Sequence, residues 1–269
     1  MKILVCVKQV PETSEVRINP KDNTLVREGA STKINPDDKA GIELALRAKD
    51  KNRDVEVTAI TMGPPQAINA LREALAMGVD KGILITGEEF SGGDTYATAQ
   101  ALSTAIKELK YDLVITGNKA IDGETGQVGP EIAENLDIPQ ITHCTEIKIE
   151  DDMIIAKRQF EDRYQIIEAK MPCLITIIGE KITPRYMTVK DIFDKFGDNE
   201  ANDYSEEIIK ILEYDDLKGS LKYGIKGSPT EVIKMNIGNI KENNEKLMGL
   251  DPKEAADQIF KKMIERSFI

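Results

Sequence analysis

Short, mainly apolar segments recur along the chain at Ile3 to Val7, Val55 to Met62, Gly82 to Ile85, Leu113 to Gly117 and Leu174 to Ile178. They lack the sustained polar alternation of a strand wetted on one side, so they read as strands covered on both faces. The stretches between them follow a helical period instead. Pro36 to Lys49 turns Ile42, Ala45 and Leu46 inward, Gln66 to Met77 turns Ile68, Leu71 and Leu75, and Tyr96 to Leu109 turns Ala101, Leu102, Ala105 and Ile106. Strand alternating with helix predicts an α/β fold built on a doubly wound, mostly parallel sheet.

The middle of the chain breaks this rhythm. Thr142 to Ile149, Met153 to Phe160 and Tyr164 to Ala169 are β-type segments joined by the polar turns Glu150-Asp151-Asp152 and Glu161-Asp162-Arg163, which predicts an antiparallel excursion from the sheet. After Phe193 the pattern weakens, and Gly197 to Asp203 has the polarity of an exposed connection. The boundary is therefore expected there, with 1–193 forming the α/β domain and 194–269 an extended C-terminal arm. The arm holds one clear helix: Asp251 can cap it, Pro252 fits its first turn, Glu254 completes a capping-box spacing, and Ala255, Ile259, Met263 and Ile264 form an apolar stripe. Such a stripe packs either on the chain's own core or on another subunit.

Acidic residues outnumber basic ones by 47 to 36, a net charge of −11. That charge repels a phosphate backbone and an anionic lipid face, which argues against nucleic acid as a partner. No run of about 20 apolar residues offers a membrane span, and the opening Met1 to Lys8 is too short for a signal-peptide core, so a cytoplasmic protein without membrane insertion is expected. Cys6, Cys144 and Cys173 are odd in number and set in apolar runs, as buried packing thiols are.

The only histidine, His143, precedes Cys144 in a strand-like run, where neighbouring side chains point to opposite faces and cannot work as a couple. Gly-x-Ser-x-Gly, His-Glu-x-x-His, the phosphate loop ending in Gly-Lys-Ser/Thr and Gly-x-Gly-x-x-Gly are all missing. No catalytic residue and no metal ligand are assigned.

One segment does suggest ligand binding. After the strand ending Val114-Ile115-Thr116 come Gly117-Asn118-Lys119-Ala120-Ile121-Asp122-Gly123-Glu124-Thr125-Gly126-Gln127-Val128-Gly129-Pro130 and the helical Glu131 to Leu136. Glycines let backbone amides approach an anion, and the first turn of a helix adds free N–H groups and partial positive charge. Asp122 and Glu124 would repel a diphosphate, so they are expected to cap amides or accept from ribose hydroxyls. Cys6-Val7-Lys8 and Thr61-Met62-Gly63-Pro64 fall at other carboxyl strand ends, where open sheets of this kind bind ligands. Gly92-Gly93-Asp94-Thr95 is a second possible amide nest, with Thr98 one turn further on.

These residues stand in an order that resembles the electron transfer flavoprotein β subunit over essentially the whole chain. The resemblance rests on Ile3 to Pro11, Ile34-Asn35-Pro36, Met62-Gly63-Pro64, Ala74 to Asp80, the glycine loop with Lys119-Ala120-Ile121-Asp122, Met171 to Thr176, and Pro184-Arg185-Tyr186. It implies a Rossmann-like fold of the adenine nucleotide α-hydrolase type. It also implies a nucleotide pocket made by Cys6, Asn35, Asp38, Met62 and Gly117, Asn118, Lys119, Ala120, Ile121, Asp122, Gly123, Glu124, Thr125, Gly126, Gln127 and Val128, joined by Asp94, Thr95 and Thr98.

Members of the family that hold structural AMP in this pocket carry a loop of the Asp-Asp-Asp type. Here the loop reads Asp122-Gly123-Glu124-Thr125 and then Gln127-Val128-Gly129-Pro130, which is similar to members holding FAD there. The resemblance then implies NADH as electron donor and flavin-based bifurcation towards ferredoxin and a partner flavoprotein, such as an acyl-CoA dehydrogenase. It implies an obligate heterodimer with an α subunit that the arm wraps, and a docking loop around Arg185, Tyr186 and Val189, with Val189 as the apolar anchor. The alternatives are a conventional β subunit with AMP, a stand-alone nucleotide-binding protein of the universal-stress type, and an adenylating enzyme. The last lacks a basic cluster for pyrophosphate beyond Lys119.

Overall fold

The computed structural model describes residues 1–12, 17–18, 25–26, 31–196, 208–217, 221–231, 233 and 248–268. The chain divides into two compact units, Met1–Glu231 and Val232–Ile269. The first opens with strand β1 (Lys2–Cys6). Two small antiparallel ribbons follow, β2 (Gln9–Pro11) paired with β5 (Thr32–Ile34), and β3 (Arg17–Ile18) paired with β4 (Leu25–Val26). Then come α1 (Pro36–Lys51), β6 (Glu56–Met62), α2 (Ile68–Met77), β7 (Lys81–Ile85), α3 (Thr95–Lys107), β8 (Leu113–Gly117) and α4 (Val128–Leu136). The unit continues through β9 (Gln140–Glu150), β10 (Met153–Gln159), β11 (Tyr164–Lys170), β12 (Cys173–Ile177), α5 (Val189–Phe196), β13 (Ile209–Leu212) and the single turn α6 (Gly224–Gly227).

Among the described residues nine strands form one sheet in the order β11-β10-β9-β12-β8-β1-β6-β7-β13. Pairing is parallel from β9 across to β13 and antiparallel at β9-β10-β11, which is the predicted excursion. The apolar runs produce this layering because successive strand residues point to opposite faces. Ile3, Val5, Val57, Ile115 and Ile175 face one layer with Ile42 and Leu46 of α1 and Leu71 and Leu75 of α2. Leu4, Cys6, Ile60, Val114 and Leu174 face the other with Leu102 and Ile106 of α3 and Ile132 of α4. Each such buried Ile or Leu contributes on the order of 1.5–3 kcal/mol, so a one-residue slip of any central strand is strongly disfavoured.

From β1 the chain builds outward through β6 and β7, then returns through β8 to the opposite side of β1. Strand order reverses between β1 and β8, so their carboxyl ends flank the crevice in which open α/β sheets take ligands.

The first unit does not end near Phe193 as the sequence pattern suggests. Ile209–Leu212 pairs in parallel with Lys81–Ile85 and closes the sheet edge, which carries the compact unit on to Glu231. The polar stretch Gly197 to Asp203 lies outside the described residues. In the second unit, helix α7 (Pro252–Glu265) is capped by the Asp251 carboxylate, which accepts from the backbone of Lys253 at 2.7 Å and Glu254 at 3.1 Å. Its stripe residues Ile259, Met263 and Ile264 are exposed, as is Phe260. None of the described helices is long and apolar enough to cross a membrane.

Candidate functional site

At the switch point the ends of β1 and β8 are joined by a side chain from α1. Asp38 accepts the Lys8 N–H at Oδ2 (2.8 Å) and the Gly117 N–H at Oδ1 (3.0 Å). Gly117 is required here, since a Cβ would stand 2.1 Å from that same oxygen. The carboxyl is only 7% exposed. Burial pushes its pKa up to about 7, although the Lys8 and Gly117 amides and the Asn35 side chain favour the ionised form. Asn35, just before α1, holds the loop that leaves β8: its amide nitrogen donates to the Lys119 carbonyl at 2.9 Å and its oxygen accepts the Ile121 N–H at 3.1 Å. It makes no side-chain cap on α1.

Beyond Ala120 the loop turns back through Glu124 N–H to the Ala120 carbonyl at 2.8 Å, and residues 121–127 are exposed. Glu124 and Gly126 have φ of 51° and 64°, the left-handed conformation in which successive amides can turn towards a common anion. The loop runs into α4, whose first turn has no side-chain cap. Its leading N–H groups are thus left for a ligand or water. Of the two roles expected for Asp122 and Glu124, capping amides or accepting from ribose hydroxyls, the described hydrogen bonds show no amide cap. Lys8 Nζ lies 2.8 Å from both oxygens of Asp122, and Lys119 Nζ lies 3.5 Å from Glu124. The two lysines neutralise the acids that would repel a diphosphate.

The other expected residues gather at the same end of the sheet. Cys6 and Met62 end β1 and β6 and pack in the second core layer, and burial together with the Asp38 charge raises the Cys6 thiol far above its ordinary pKa. Thr95 opens α3 with its hydroxyl 3.2 Å from Gln127 Oε1 and 3.1 Å from Glu131 Oε1, so the first turns of α3 and α4 are hydrogen-bonded to each other. Asp94 caps α3 through the Ala97 N–H at 3.0 Å, and its second oxygen accepts from Thr230. Thr98 is half-buried one turn on. The Gly92-Gly93 pair is packed rather than open: a Cβ at Gly92 would stand 2.7 Å from Ile225, and one at Gly93 would stand 3.2 Å from the Gly224 backbone.

Sequence reasoning placed Lys8 at a ligand-binding strand end without giving it a role, and did not name Glu131 as part of this site. Lys8 stands at a predicted carboxyl strand end, where a cation opposite Asp122 is the signal. Glu131 reaches the crevice only through the packing of α3 on α4. Burial raises its carboxyl above the ordinary value, and its Oε2 is buried without a hydrogen-bond partner.

His143 and Cys144 point apart, one exposed and one buried, and burial raises the Cys144 thiol to about 12 and the Cys173 thiol to about 11. Neither thiol is a nucleophile at neutral pH. The loop after β12 carries the other expected residues. Tyr186 is 94% exposed and Val189, the first residue of α5, is 71% exposed. The Arg185 guanidinium, by contrast, is bound within the chain to Glu43 and Asp50.

Residues 22–206 match the family model described as electron transfer flavoprotein domain. The chain is 48% identical over 270 residues to the electron transfer flavoprotein subunit beta of Thermoanaerobacterium thermosaccharolyticum, with all of both chains covered. Also over the whole of both chains, it is 44% identical to the acryloyl-CoA reductase electron transfer subunit gamma of Anaerotignum propionicum. The caffeyl-CoA reductase-Etf complex subunit CarD of Acetobacterium woodii is 43% identical, again end to end.

Proposed function

Since this chain belongs to the electron transfer flavoprotein β-subunit family, we propose that its crevice holds FAD and that it serves, in a heterodimer with an α subunit, in NADH-dependent electron bifurcation. The observation that carries the reading is the loop from Gly117 to Val128. It presents an exposed left-handed turn ahead of the uncapped α4, and its two acids are already paired with Lys8 and Lys119. That arrangement fits a dinucleotide's diphosphate, and Thr95, Gln127 and Glu131, where α3 meets α4, provide polar groups beside it. The relatives that serve acryloyl-CoA and caffeyl-CoA reductases support a partner of the acyl-CoA dehydrogenase type.

FAD held there would supply the redox chemistry, hydride uptake from NADH and one-electron release towards ferredoxin and the partner flavoprotein. The chain's own residues bind and orient. Asp38 and Asn35 fix the loop, the amides at 124–129 receive the diphosphate, and Thr95 and Gln127 serve its sugar hydroxyls. Asp94 keeps α3 and the segment leading to Glu231 in register. Tyr186 and Val189 face outward to meet the partner. AMP would use the same amides; what favours FAD is that the loop reads Asp122-Gly123-Glu124-Thr125 rather than the Asp-Asp-Asp type.

The test is coupling. NADH should reduce ferredoxin through the heterodimer only while the partner flavoprotein and its enoyl-CoA acceptor are turning over. Ferredoxin reduction that ignores the acceptor, or none in its presence, would contradict the proposal.

A further inference from the structure

We infer that Glu43 is the positioning residue of the docking loop, holding Arg185 so that Tyr186, Val189 and Phe193 stand in the pose that meets a partner. The inference rests on the docking role proposed above for this loop.

Glu43 lies in the middle of α1 and is 5% exposed, among residues that otherwise belong to the apolar core. A carboxylate there is unfavourable unless its oxygens are satisfied. Loop and helix satisfy them together. Oε2 accepts the Arg185 backbone N–H at 3.0 Å and its Nε at 2.8 Å, and Oε1 accepts Arg47 Nε at 2.8 Å. The fork of Arg185 continues to Asp50 Oδ2 at 2.7 Å, and Arg47 donates to the Thr183 carbonyl at 3.3 Å. The guanidinium is therefore occupied within the chain and is not offered to a partner.

Immediately past this anchor the surface becomes apolar and exposed. Phe193, 72% exposed, lies one helical turn after Val189 on α5, and Thr188 fixes the start of that helix by accepting the Asp191 N–H at 3.0 Å. Large apolar side chains in water beside a rigid mount have the character of an interface hot spot. A loop already held in its bound pose loses less entropy on docking, so the anchor acts on affinity rather than on the rate after docking.

The experiment uses the purified heterodimer and, as partner, an acyl-CoA dehydrogenase-type flavoprotein from the same organism. Glu43→Gln should raise the apparent KM for that partner by about tenfold with kcat and bound flavin unchanged. Amides at 186–193 should exchange hydrogen faster. Arg185→Lys, which keeps the charge but loses the fork, should do the same, and the double variant should be no worse than either single one. Val189→Asp is the control for docking itself. If Val189→Asp raises KM while Glu43→Gln and Arg185→Lys do not, Glu43 does not position the loop. If Val189→Asp leaves KM unchanged, the docking reading and this inference fall together. Should Glu43→Gln fail to assemble, Arg185→Lys carries the test alone.

Discussion

At the scale of single residues, Asp38 ties the ends of β1 and β8 together, and its membership of the site was legible where its contacts were not. The family pattern in the sequence placed it in the nucleotide pocket, but its contacts are to the amides of Lys8 and Gly117, which are 30 and 79 residues away. No local pattern encodes such a bridge. Asp122 and Glu124 were legible as acids in a phosphate-type loop, and Lys119 as a base in the same loop, five residues from Glu124, while Lys8 becomes the partner of Asp122 only once β1 and β8 are neighbours. Asp38 also yields a pH prediction. Its pKa in the folded chain is raised from 3.8 to about 7, so between those values the folded state holds a proton that the unfolded chain has released. Its contribution to stability is fully present below the ordinary carboxyl range and is lost as pH rises through about 7. The thermal midpoint of the nucleotide-depleted heterodimer should fall as pH increases towards about 7, reflecting roughly 1 kcal/mol per pH unit. In Asp38→Asn, which cannot ionise, the slope should be reduced by about that amount. A slope unchanged by the substitution would assign the dependence to another group.

At the scale of elements, the parallel strands and their covering helices were legible because buried strands and amphipathic helices leave different periods. The antiparallel excursion was legible from its polar turns. Strand β13 was not: its four residues are too short to carry a period, and they become a strand by pairing with β7. The two glycine clusters looked alike in sequence, and only packing separates them. Gly92 and Gly126 share a left-handed φ, 68° and 64°, but a Cβ at Gly92 or Gly93 would press on Ile225 or Gly224, whereas one at Gly123 would meet nothing and one at Gly126 only the Asn118 carbonyl at 3.5 Å. A β-branched residue at Gly126 would be strained there even though space is available. Gly126→Val should lower nucleotide affinity by tenfold or more while circular dichroism of the heterodimer stays unchanged. Full nucleotide retention after gel filtration would remove the loop from the site.

At the scale of the molecule, the fold follows from the run of apolar segments, and the site follows from where the strand order reverses. The sequence showed that a glycine loop follows one strand. It could not show by spacing alone that this strand lies beside β1, because sheet order depends on which layers the helices cover. The exposed residues Tyr186, Val189 and Phe193 in the first unit, and the stripe on α7 in the second, are surfaces suited to other chains. Under the proposed function the first would meet an electron-transfer partner and the second the α subunit. Whether this subunit carries a flavin is decided by denaturing the co-expressed heterodimer and measuring the FAD and AMP released per pair. About two FAD with no AMP is the predicted result, one on each subunit. One FAD with one AMP would contradict the claim and leave a conventional β subunit with a structural nucleotide.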